Sequence, residues 1–338
     1  MYLKELCELD GVSGAENAVR SFITDKIKPY ADSITVDAIG NIIALKKGKS
    51  SDKKVMLSAH TDEVGFIISG ITDKGFLEFK TVGGIDTRVI ISKRVRIGKN
   101  KLSGVIAMKA IHLQDKSERG KVPKVSSLYI DIGAKSREEA EEHVSLGDYA
   151  VFDADYELYG DTVKSKAIDD RAGCAILIEL IKKDVQYDTY FCFMAQEEVG
   201  LRGAKIAVAR VKPDIALVVE ATTCADVSGA EEKDYVTSLG KGAAVSFADR
   251  STIVREDFYR NLLRVASEEK ISVQTKMALA GGNDAGAIHL AVGGIKCASV
   301  SVPCRYIHSP CGIAAVSDIE AVYRLADAFL NRIDEFLE

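Results

Sequence analysis

The chain has 338 residues, 47% of them hydrophobic, with a net charge of −5 and a pI near 5.7. That is enough apolar chain for one large core, or for a core plus a smaller domain. Lys and Glu are interspersed and form no basic stripe able to track a phosphate backbone, so nucleic acid is not an expected partner.

The N-terminal MYLKELCELDG is charged from residue 4 onward and has no apolar h-region, and no uncharged apolar run reaches about 18 residues. The expectation is a cytoplasmic protein with no export signal and no membrane span. Seven cysteines (Cys7, Cys174, Cys192, Cys224, Cys297, Cys304, Cys311) are odd in number, scattered, and free of any C-x-x-C pair. They read as buried free thiols in a reducing compartment. The even seven-residue spacing of the last three is no zinc spacing.

In chain order, Ser13 and Glu16 fit a capping box, and Val19, Phe22, Ile23 and Ile27 then recur at helical spacing until Pro29. SITVDAIGNIIAL alternates around a Gly40-Asn41 turn, and KKVMLSAH is a continuous apolar strand that ends on a histidine. Residues 67–160 differ: GFLEFKTVGG, RVIISKRVRIGK, KLSGVIAM, SSLYIDIGA and DYAVFDADYELYG are short alternating strands with Gly-rich turns, interrupted by one helical piece, REEAEEHV. This predicts a β-barrel-like domain inserted into the chain.

From residue 168 on, strands alternate with helices: DTYFCFMA, a helix near 203–210, DIALVVEA, a helix near 255–269, ISVQTKM, a helix near 285–291, and KCASVSV. Ser317 and Glu320 fit a second capping box ahead of Val322, Leu325, Phe329, Ile333 and Phe336. The predicted fold class is α/β, a mixed sheet between helices formed by 1–66 plus 161–338, with 67–160 as the insertion.

Ligand sites in open α/β sheets gather beyond the carboxyl ends of the strands. Here those ends carry His60, Asp62, Glu197 with Glu198, Glu220, and His308, while Asp169 and Asp170 open a helix. Imidazole and carboxylate are donors for zinc-like divalent ions, and a pair of ions needs a bridging carboxylate with terminal ligands on either side. Singly, each residue has a plain explanation as a strand-end, turn or N-capping residue. Only five histidines exist, however, and two fall at strand exits beside acids at three other such positions. The residues alone leave a metal site and an ordinary set of turn residues both open. His289, His112 and His143 read as structural, packing or interdomain, and solvated, respectively.

Five segments in order, SAHTDEVGF (58–66), AIDDRAGC (167–174), AQEEVGLRGA (195–204), GGNDAGAIHL (281–290) and VPCRYIHSP (302–310), resemble the M42 family of dinuclear metallo-aminopeptidases, the glutamyl and tetrahedral aminopeptidase group, some of whose members are labelled endoglucanases. The resemblance spans almost the whole chain and implies a zinc-peptidase-like fold with a PDZ-like dimerisation domain as the insertion. It implies two divalent ions per subunit, zinc or cobalt: His60 and Glu220 on one, Glu198 and His308 on the other, Asp169 bridging. Glu197 would be the general base acting on a metal-bridging hydroxide, and Asp62 would orient His60. Glu220 stands where many members have Asp, with Asp226 as a nearby competitor; Asn283 stands where Thr or Ser is frequent, with Asp284 beside it.

The implied activity is release of N-terminal residues from short peptides by a homo-oligomer, a dimer assembled into a twelve-subunit shell. An acidic first residue is a candidate preference that requires a basic group in the pocket, with Arg250 and Arg305 as candidates. Two alternatives remain: a glycoside hydrolase, whose acids must flank a sugar at about 5–9 Å, and a non-catalytic assembly scaffold.

Overall fold

The computed structural model describes residues 1–279 and 281–338, the side chain of residue 118 apart. Two sheets organise the chain. The larger has eleven strands, centred on four parallel ones in the spatial order Tyr187–Met194, Ser50–His60, Ile215–Thr223 and Lys296–Arg305. Ile42–Lys46 and Ser33–Val36 flank them on one side; Gly312–Ala315, Thr162–Ser165 and Glu157–Tyr159 flank them on the other, all antiparallel. Ala243–Val245 and Val273–Thr275 branch from the strand Lys296–Arg305.

The central strands read as unbroken apolar runs because both of their faces are covered. In Ile215–Thr223 every residue but the last is buried. One face packs against the helices Leu3–Glu8, Asn17–Ile27, Ile168–Leu180, Glu256–Glu268 and Val316–Asn331. The other packs against Arg202–Val211 and Ala285–Ile288. Helical spacing sets which residues face inward: Phe258, Leu262, Val265 and Ala266 form the buried stripe of Glu256–Glu268, and Phe258 stacks on Phe329 at 5.8 Å.

The smaller sheet is a closed barrel of six antiparallel strands, ordered Gly65–Ile71, Leu77–Val82, Leu128–Asp131, Leu102–Met108, Arg94–Ile97 and Tyr149–Phe152. Closure leaves no unpaired edge, and the interior is pinned by Phe66, whose ring meets those of Phe79 and Phe152 edge-on at 5.2 Å. The α/β sheet with an inserted barrel is thus the architecture the sequence predicts.

Three local expectations fail. Neither capping box forms, because both serine hydroxyls are claimed by distant carboxylates: Ser13 by Asp62 and Ser317 by Asp161. The helices begin instead at Asn17 and Val316 with no side-chain cap. Glu157–Tyr159, expected among the barrel strands, joins the large sheet. The inserted region carries a second short helix, Lys116–Arg119, besides Arg137–Glu141. All seven cysteines are free and six are buried. Among the described residues no helix is long and apolar enough to cross a membrane.

Candidate active site

The four parallel strands end on one edge of the sheet. His60 closes the first of them in sequence, Glu197 and Glu198 follow the turn after Met194, Glu220 lies near the end of Ile215–Thr223, and His308 follows Arg305. Asp169 enters from the N-terminal end of Ile168–Leu180, where the Asp169–Asp170 peptide is cis. His60 Nε2 lies 3.2 Å from Asp169 Oδ1 and 3.3 Å from Glu220 Oε1. His308 Nε2 lies 3.4 Å from Asp169 Oδ2 and 3.2 Å from Glu198 Oε2. The two oxygens of Asp169 therefore face different imidazoles.

The other nitrogen of each ring sets the chemistry. His60 Nδ1 is 3.1 Å from the Asp62 carbonyl and His308 Nδ1 is 2.9 Å from the Gly84 carbonyl, and a carbonyl only accepts. Each Nδ1 therefore carries the proton, and in the neutral ring each Nε2 lone pair is aimed at carboxylate oxygens. Such an arrangement is stable only with positive charge between the groups, supplied by protons or by metal ions. Donor atoms of His60, Asp170 and Glu220, and of His60, Asp169 and Glu198, lie within 4.8 Å of one another. The donor set fits a divalent metal.

The electrostatics show the same demand. Burial would lower the His60 pKa, but the Glu220 charge and the hydrogen bonds to Asp169, Asp62 and Glu220 hold it well above 6.5. Burial opposes protonation of His308 as well, yet Asp169 and Glu198 push it up to about 11. Asp169 is held far below the usual carboxylate range: burial would raise it, but both imidazoles overcome that. Burial raises Glu197 and Glu198, and lifts Glu220 to about 8.

Several hydrogen bonds hold these residues in place. The Asp62 carboxylate accepts the amides of Glu197 (3.0 Å) and Glu198 (3.1 Å) and the Ser13 hydroxyl at 2.6 Å, so it holds the Glu197–Glu198 turn as well as standing beside His60. Asn41 fastens the same turn from the other side, accepting from the Ala195 amide (2.8 Å) and donating to the Gly203 carbonyl (3.0 Å). A Cβ at Gly203 would collide with that Asn41 oxygen and with the Ala195 carbonyl, which is why glycine is required there. Asp170, close to His60 and Glu220, accepts the amides of His60 and Gly173. Left-handed backbone recurs at Ala167, Gln196, Leu201, Tyr306 and His308, all on the turns that carry the site.

Other candidates lie elsewhere. Asp226, the competitor of Glu220, is gripped by Arg305 through two 2.8 Å bonds. Arg305 is thereby occupied, and Arg250 is exposed. Asp284, by contrast, is near enough to the cluster to feel the His60 charge; neither of its oxygens is bonded among the described residues, and burial lifts it to about 7. His289 bonds the Ala285 carbonyl of its own helix, and both His112 and His143 are exposed. A cleft of about 360 Å³ opens over His60, Asp169, Glu197, Glu220 and His308; its opposite lining includes Thr222, Thr223, Val236, Gly281, Asn283 and a lysine that sequence reasoning missed, Lys276.

Comparison with known proteins bears on this geometry. A putative aminopeptidase of Acetivibrio thermocellus is 44% identical over 325 residues, covering 96% of each chain. A glutamyl aminopeptidase of Lactococcus lactis is 31% identical (98% of this chain, 94% of the relative), and a lysyl aminopeptidase of Pyrococcus furiosus is 30% identical (98% and 96%). Among solved structures, a TET aminopeptidase from the marine sediment archaeon Thaumarchaeota archaeon SCGC AB-539-E09 superposes with a TM-score of 0.95 at 34% identity, over 99% of this chain and 96% of that one. The TET1 peptidase of Pyrococcus horikoshii, which can assemble into a tetrahedron or a large octahedral shell, gives 0.85 at 34% identity over 97% and 98%. The family model for M42 glutamyl aminopeptidases matches residues 40–325, and the chain belongs to the M42 peptidase family.

Proposed function

We propose that this protein is a dinuclear metallo-aminopeptidase that removes N-terminal residues from short peptides. The observation that carries the reading is the Asp169 carboxylate, whose two oxygens face two different imidazoles at 3.2 and 3.4 Å. On this reading His60 and Glu220 hold one divalent ion, Glu198 and His308 the other, and Asp169 bridges. Zinc or cobalt suits the nitrogen and carboxylate donors. Two such ions, when bound, acidify a shared water and polarise the scissile carbonyl.

The remaining work falls to the chain. Glu197 lines the cleft, and its burial favours uptake of a proton, so it takes the proton of the attacking water and delivers it to the leaving amine. Asp62 fixes the backbone of both glutamates through their amides, which keeps Glu197 and Glu198 in separate tasks. Glycoside hydrolysis is disfavoured because it leaves the alternation of imidazole and carboxylate unused. A non-catalytic scaffold is disfavoured because every donor is in place. The finer features of the reading are a preference for acidic first residues, a cytoplasmic location, and a homo-oligomer built from dimers into a twelve-subunit shell, which the assembly of the Pyrococcus horikoshii relative supports.

The test is metal analysis joined to a substitution. Purified protein is expected to carry two divalent ions per chain and to lose peptidase activity on chelation. Glu197→Gln should retain both ions while turnover falls by about 1,000-fold. Activity that survives complete metal removal, or full turnover in Glu197→Gln, overturns the reading.

A further inference from the structure

Lys276 follows the short strand Val273–Thr275 and is only 7% exposed, yet it lines the cleft that holds His60, Glu197 and Glu220. A lysine this buried is ordinarily paired. Among the described residues its ammonium has neither an ion-pair nor a hydrogen-bond partner. The acids that line the cleft, Asp169, Glu197 and Glu220, belong to the imidazole cluster. Apart from these acids, the imidazoles and Lys276, the cleft lining is neutral: Thr222 and Thr223 offer hydroxyls, and Val236 and Ile307 are apolar. An anion entering from solvent would therefore meet one cation that has no partner among the described residues, and its carboxylate could accept a charge-assisted hydrogen bond there.

We propose that Lys276 is the specificity-determining residue of this cleft and that it binds the side-chain carboxylate of an N-terminal Glu or Asp. The assignment rests on the aminopeptidase reading of the site and deepens it. The arginines that sequence reasoning offered for this task do not serve, since Arg305 is held by Asp226 and Arg250 is exposed outside the cleft lining. Family membership does not settle the matter, because relatives of almost equal identity are a glutamyl and a lysyl aminopeptidase. The charge at position 276 makes the choice in this chain.

The experiment measures kcat/KM of the metal-loaded enzyme on p-nitroanilides of Glu, Asp, Leu and Lys, together with Leu-Leu and Leu-Leu-amide, with metal content and elution volume as controls for folding. Wild type should favour the Glu and Asp anilides. Lys276→Met should reduce the Glu-to-Leu ratio by about 30-fold, Lys276→Glu should turn the preference toward Lys, and Lys276→Arg should keep the acidic preference. A ratio unchanged in Lys276→Met overturns the assignment. So does an effect confined to Leu-Leu against its amide, which would place the ammonium on a peptide's terminal carboxylate instead. If wild type cleaves no anilide at all, the aminopeptidase reading itself fails, an outcome separate from cleavage without acidic preference.

Discussion

Two buried charge clusters leave the same strand exit three residues apart, and they are built on opposite principles. Glu63 meets Lys166 at 2.7 and 2.9 Å and Arg171 at 3.3 Å, and it also accepts the Gly11 amide. Lys166 also donates to the Leu9 carbonyl at 2.7 Å and Arg171 to the Leu6 carbonyl at 2.6 Å, which leaves the Arg171 Nε–H without a partner among the described residues. That cluster is closed by the chain itself. Around His60, by contrast, Asp62, Asp169, Asp170, Glu197, Glu198, Glu220 and Asp284 are set against two imidazoles. His60, Asp62, Asp170 and Asp284 are as deeply buried as Glu63, Lys166 and Arg171, so burial alone does not mark the functional cluster. Charge balance does: Glu63 and Asp10, the latter 3.7 Å from the Lys166 ammonium, answer Lys166 and Arg171, whereas the carboxylates around His60 outnumber its imidazoles and leave a charge that protons or divalent ions would balance.

The sharpest way to break this comparison is to remove one carboxylate from each set. Glu63→Gln leaves Lys166 and Arg171 buried without their counter-charge and should destabilise the protein by about 3–5 kcal/mol in urea unfolding. Glu220→Gln in metal-free protein removes one of an excess of acids and should cost nothing. Equal losses in the two variants would show that the clusters do not differ in balance.

A smaller effect is expected where the two regions are joined by the N-terminal segment. Ser13 donates to Asp62 at 2.6 Å, with both side chains buried, and Asp62 in turn holds the amides of Glu197 and Glu198. Ser13→Ala should lower kcat about tenfold, the equivalent of about 1.4 kcal/mol. KM and bound metal should stay unchanged, because no ligand is touched. A rise in KM or a fall in metal content instead would mean that Ser13 acts by general destabilisation.

What was legible in the sequence follows the range of the interaction concerned. Strand periodicity is local, and from the sequence alone it places His60, Glu197, Glu198, Glu220 and His308 at one sheet edge. The barrel was legible for the same reason, since its strands are short, alternating and separated by glycine turns. Ser13, Asn41 and Lys276 were not legible. Ser13 looked like a helix cap because the four-residue pattern is local, whereas its real partner lies 49 residues away. Asn41 reads as a turn residue, and its side chain does donate to Asp37 four residues back, but the bonds that fasten the Glu197–Glu198 turn run to residues 154 and 162 positions away. Lys276 carries no motif of its own; only the folded cleft shows that it is buried and, among the described residues, without a partner.

The smallest predicted effect compares the buried cluster with its exposed counterpart. Glu335 is also one carboxylate against two cations: Arg332 donates at 2.8 and 2.9 Å and Arg264 at 2.6 Å, but all three are at the surface. The hydrogen bonds from Arg332 and then Arg264 hold the Glu335 pKa at about 2, below its ordinary 4.5. A carboxyl whose folded pKa is depressed contributes stability that is fully present above 4.5 and is lost as pH falls through about 2. The gap in unfolding midpoint between wild type and Glu335→Gln should therefore be small at neutral pH and close between those two values. It should also close in about 1 M salt, where the Debye length falls to about 3 Å. The Glu63→Gln deficit should survive the same salt, because no counterion reaches a cluster enclosed by Lys166, Arg171 and the backbone. If salt erased both differences alike, the Glu63 cluster would be accessible to solvent, and its separation from the cation-seeking site around His60 would rest on something other than enclosure.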